Sequence, residues 1–180
     1  MSYDISAFKV LIKKIFPPNK CVFTVDTDGN AKTDSLQIKF INLLIPFVIP
    51  EEIEIGDFNI KKFDPNTLDL SKYGELYLDD TKLNFSKENI NLDMIKSRLL
   101  IYHKGKSFNL DDIIEGKLRG RRINLNDSIS LLIKLDDDIL KKFTKGTHYF
   151  RIESDLVTNL EINFEMDENN MNIKFDPDNT

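Results

Sequence analysis

Cysteine is almost missing from this sequence: Cys21 is the single one in 180 residues, which excludes an intrachain disulfide. A lone thiol suits a reducing compartment, or a folded unit that is stable without staples. Long apolar runs are missing too. The longest, Phe40–Ile49, is about half of the ~20 residues a membrane helix requires, and Asn42 and Pro46 interrupt it, so no membrane span is expected. The amino terminus, Met-Ser-Tyr-Asp-Ile-Ser, has no basic segment followed by an apolar core, and no signal peptide is expected from it. The expected location is the cytoplasm, or a particle into which the protein is assembled. Glycine-rich phosphate loops and a nucleophile elbow are absent. Positive charge is in deficit. A net charge of −5 argues against broad nucleic-acid binding, because a phosphate backbone repels an acidic surface unless a basic patch overrides it.

What is present is a globular balance, 41% hydrophobic and 31% charged residues, long enough to bury a real core. Alternation of apolar and polar side chains runs through most of it. In Gly146–Phe164, Tyr149 (or Phe150), Ile152, Leu160, Ile162 and Phe164 recur at two-residue intervals, with Ser154, Asp155 and Asn159 as turn-formers between. That period puts alternate side chains on opposite faces of a strand, so the piece predicts two antiparallel strands burying one face.

The same grammar predicts a hairpin from Cys21–Val25 into Leu36, Ile38 and Phe40, with Gly29 supplying positive φ in the turn. Phe40–Ile49 reads as a core strand buried on both faces, which Pro46 and Pro50 confine to an edge or break. Ile53–Phe63 predicts a strand with a bulge at Gly56-Asp57. Leu76–Phe85, Arg98–Tyr102, Leu118–Leu125, Ile129–Leu135 and Met171–Phe175 predict further strands, and His103-Lys104-Gly105-Lys106 a hairpin tip. Helix is expected at residues 2–16, where Ile5, Phe8, Leu11, Ile12 and Ile15 share one face, and in short turns at Leu110–Glu115 and after Asp136.

About ten short strands with turns every 8–12 residues point to a mainly β fold. The expected architecture is an antiparallel β-sandwich, immunoglobulin-like or jelly-roll-like, with an N-terminal amphipathic helix. One domain over residues 1–180 is expected; the alternative is two small β domains, 1–85 and 86–176.

Candidate sites each have a plain alternative. Lys117, Arg119, Arg121 and Arg122 place four cations within six residues, able to bind an anion or an acidic partner through arginine forks. A charged strand edge guarded against aggregation accounts for the same residues. Asp26, Asp28 and Asn30 alternate as calcium ligands do, yet Gln37 stands where an EF-hand places its bidentate glutamate, and a hairpin turn explains them without metal. His103 and His148 show no metal-ligand spacing, and nothing selects a catalytic pair among carboxylates such as Asp79, Asp80, Asp111, Asp112 and Asp136–Asp138. No cofactor is expected.

The strand-rich stretch over residues 85–166, with its Lys-Gly-Thr-His-Tyr-Phe-Arg-Ile segment at 145–152, is similar in layout to N-terminal domains of phage baseplate upper proteins. Those resemble immunoglobulin-like sandwiches and join receptor-binding tails to the particle. The lack of a catalytic signature, with strand edges and arginines available to a partner, leads to the expectation of a non-catalytic binding or assembly protein, a structural subunit or adaptor with a protein partner or a second copy of the chain; the resemblance implies a phage-tail-like or secretion-apparatus-like setting for it. A carrier for an apolar ligand lined by Phe40–Ile49, and an enzyme built on an acid pair or Cys21, are the alternative expectations.

Overall fold

Short alternating segments pair into antiparallel sheets in the computed structural model, which describes residues 15–18, 20–43, 45–49, 54–55, 58–59, 75–83, 98–153 and 160–179. The strands are β1 (Val22–Asp26), β2 (Ser35–Ile41), β3 (Phe47–Val48), β4 (Glu54–Ile55), β5 (Phe58–Asn59), β6 (Glu75–Leu78) and β7 (Thr81–Leu83). They continue with β8 (Leu99–His103), β9 (Lys106–Asn109), β10 (Arg122–Ile123), β11 (Ser128–Lys134), β12 (Gly146–Glu153), β13 (Leu160–Met166) and β14 (Ile173–Lys174). The short helices α1 (Leu110–Ile114) and α2 (Asp137–Leu140) connect strands. The protein is mainly β. The helix expected over residues 2–16 lies outside the described residues except at its end.

Six strands form one sheet in the order β14-β1-β2-β11-β8-β9, and four form another in the order β13-β12-β6-β7. All these pairs are antiparallel except β1 with β14, a parallel edge where Val25 meets Ile173. The six-stranded sheet takes β1 and β2 from before residue 85 and its other four strands from after it. Val22 and Leu36 from this sheet meet Leu78, Phe150, Phe164 and Met166 from the other, with Cys21 and Phe143, in one buried apolar cluster. Phe150 and Phe164 stack at 4.9 Å between centroids.

The β12–β13 hairpin forms with Phe150 opposite Ile162 and His148 opposite Phe164. Of the two residues left open at 149 and 150, Phe150 turns inward and is buried, while Tyr149 sends its hydroxyl to Asp80 at 2.8 Å. The β1–β2 hairpin also forms, with Gly29 at φ 75°.

Three expected strands divide differently. Within the stretch expected as the strand Leu76–Phe85, β6 pairs with β7 as a hairpin turning through Asp79-Asp80, with Asp79 at φ 52°. The segment expected as one bulged strand around Gly56-Asp57 holds β4 and β5, paired with each other across those two residues, which themselves lie outside the described set. Leu118–Leu125 narrows to the two residues of β10, because Glu115–Gly120 winds through turns with Gly116 and Gly120 at positive φ. The Phe40–Ile49 run is corrected most. It is not a doubly buried core strand: β2 ends at Ile41, and the chain then crosses to β3, whose two residues are exposed.

Candidate functional site

β3 pairs antiparallel with β10, Phe47 opposite Ile123 and Val48 opposite Arg122, as a two-stranded ribbon separate from both larger sheets. Asn42 fixes its base: the side-chain amide donates to the carbonyls of Ile45 (3.0 Å) and Asn124 (3.0 Å). Ile123 is buried and pins the ribbon to the body, but Phe47 across from it is 43% exposed. Ile45 is 69% exposed, Val48 55% and Leu125 49%, and these four are the exposed large apolar side chains among the described residues. All four lie on one ribbon and its connectors. Scattered exposed apolar residues are ordinary, whereas these gather on one short stretch of the fold, Phe47 and Val48 on opposite faces of β3.

The four cations of the basic run do not converge. Lys117 is held by Asp112 at 2.5 Å and Glu115 at 3.1 Å, and the Arg119 side chain lies over Gly116. Arg121 turns inward. Its guanidinium sits 4.7 Å from the Phe108 ring centroid, and its Nε donates to His103 Nδ1 at 3.3 Å. Arg122 alone among them stands on a strand, exposed, on the same face as Val48.

His103 is buried below the ribbon, at the end of β8. With Arg121 donating to Nδ1, the ring carries its proton on Nε2, which faces Asp127 Oδ2 at 3.4 Å. Burial lowers the His103 pKa, with Arg121 and Lys104 acting the same way and Asp127 opposing. Asp127 also accepts from the Asn124 amide at 2.7 Å and pairs with Lys104 at 2.9 Å. The network ties the β8–β9 hairpin to the β10–β11 connection. In the sequence His103 stands as an ordinary residue of a hairpin tip, because contacts across 18 and 24 residues carry no local signature.

His148 is the second buried histidine, and it too is a clamp. Nδ1 meets Asp79 Oδ2 at 2.8 Å, Nε2 meets the Thr144 carbonyl at 2.8 Å, and Phe164 stacks on the ring at 5.6 Å. Asp79 also accepts from the Tyr149 amide, so β6–β7 is fixed to β12. Cys21 is fully buried, and burial pushes its thiol up to about 11. It is a thiol, not the thiolate a nucleophile requires.

Other carboxylates among the described residues serve turns, caps and ion pairs. Asp26 accepts from the amides of Gly29 and Ala31, both at 2.8 Å, and Asp28 from that of Asn30, which is turn chemistry. Asp112 and Asn109 cap α1 reciprocally, and Asp136 and Asp137 pair with Arg98 and Lys32. Among the described residues no group of three or more metal-ligating side chains converges, and no helix is long and apolar enough to cross a membrane.

No protein-family model matches this chain, and no curated protein matches it.

Proposed function

We propose that this protein is a non-catalytic binding or assembly module, a structural subunit or adaptor that works through the β3–β10 ribbon. The observation that carries the reading is the concentration of exposed Ile45, Phe47, Val48 and Leu125 on that one element. Water-exposed apolar area of this kind is stabilised when a partner covers it, at ~25 cal/mol per Å² removed from water. We also read the two larger sheets as the layers of a β-sandwich in one domain, because one apolar cluster takes side chains from both.

The histidines, cysteine and carboxylates described above are engaged in packing, capping and turns, which supports binding over catalysis. The alternative of an apolar-ligand carrier needed Phe40–Ile49 to line an interior cavity. Ile45, Phe47 and Val48 face outward instead. Light scattering on the purified protein from micromolar to millimolar concentration tests the assembly reading. A mass rising above 20.9 kDa is expected, and a constant monomer throughout counts against it.

A further inference from the structure

The ribbon offers a strand edge as well as apolar side chains. Residues of an antiparallel strand alternate between bonding their partner and facing away from it. The Ile49 amide donates to the Arg121 carbonyl at 2.9 Å, and the Ile49 carbonyl accepts from Gly120 at 3.0 Å. Val48, one residue back, therefore turns its N–H and C=O away from β10. Its side chain shares a face with Arg122, so the edge joins an apolar residue to a cation one strand behind it.

A complementary edge exists on the same molecule. β13 is the terminal strand of the four-stranded sheet. The Glu165 amide donates outward to the Pro18 carbonyl at 3.0 Å, so Glu161 and Asn163 also turn their backbone groups away from β12. Both side chains are exposed, and Glu161 brings a carboxylate. The other face of β13 continues with Ile162, half-buried, as the other face of the ribbon continues with half-exposed Phe47.

We propose, resting on the assembly reading above, that the occupant of the ribbon is a second copy of this chain, whose β13 edge at Glu161–Asn163 adds to β3. Adjacent strands lie ~4.8 Å apart, so a carboxylate on the added strand comes within reach of the long Arg122 side chain behind Val48. The charges favour this pairing: the ribbon edge presents Arg122, while the chain as a whole is acidic. Two different patches meet, so a pair of copies retains one free patch of each kind, and the contact repeats head to tail into a ring or a filament.

Charge exchange tests the contact by sedimentation velocity on the full chain. Arg122→Glu and Glu161→Arg are each expected to weaken self-association about tenfold, and the double variant to restore it, since like charges brought face to face are repulsive and exchanged opposite charges are not. Val48→Pro removes the outward N–H while sparing the β10 ladder, and it is expected to abolish association with the circular-dichroism spectrum unchanged. Singles and Val48→Pro that associate like the wild type overturn this contact and leave assembly standing. Singles that weaken without rescue in the double variant overturn the Arg122–Glu161 pairing. A wild type that stays monomeric to millimolar concentration overturns both this contact and the assembly reading.

Discussion

Asp127 shows how much of this molecule depends on single polar side chains brought together from afar. Burial works against its charge, yet Lys104, the Asn124 amide and His103 outweigh it and hold the pKa down from 3.8 to about 2. A carboxylate that ionises more readily folded than unfolded adds stability that is complete above its ordinary value and lost as pH falls through the folded one. Asp127→Asn is therefore expected to cost ~1–3 kcal/mol at neutral pH, with the difference from wild type fading toward about pH 2. Urea unfolding at both pH values checks this, and an undiminished difference in acid contradicts it. None of this was legible beforehand. Asp127 stands in the sequence as one acidic residue among 30 Asp and Glu, and only the fold places it against a histidine 24 residues away.

The β8–β9 hairpin, whose instructions are local, is legible in the sequence. The β8–β9 turn needs positive φ at both central residues, and Lys104 and Gly105 adopt 53° and 68°. A Cβ on Gly105 would also stand 3.1 Å from Asp178 Oδ1, so the C-terminal turn packs on the hairpin tip. Gly105→Ala is expected to cost ~1–2 kcal/mol through the left-handed backbone alone, read as a lowered Tm in calorimetry. A variant as stable as the wild type would mean the turn relaxes to another type. The β6–β7 hairpin was missed for a related reason. Its turn places Asp79 at positive φ without a glycine, so the run from Leu76 reads as one strand. The carboxylate of Asp79 offsets that strain by holding His148 and the Tyr149 amide. The parallel pairing of β14 with β1 was missed as well, because two residues after a turn carry no mark of their partner.

On the scale of the whole molecule, period-two alternation was enough to establish a mainly β protein, since it records which face each segment buries. It does not record which sheet, or whether an apolar run faces inward. Phe40–Ile49 illustrates the gap. Its composition suits a core strand, while Pro46 and Pro50 deny it a central place, and the structure keeps Phe40 and Ile41 in β2 but sends Ile45, Phe47 and Val48 outward on the β3–β10 ribbon and its connector. That exposed ribbon is what the functional proposal rests on, and amide hydrogen exchange at low and high protein concentration tests it most directly. The amides of Val48, Glu161 and Asn163 are expected to slow together as concentration rises, while that of Ser107 on the β9 edge keeps its rate. Exchange at Val48 and Asn163 that is the same at every concentration, in a protein whose mass does increase, would contradict the account.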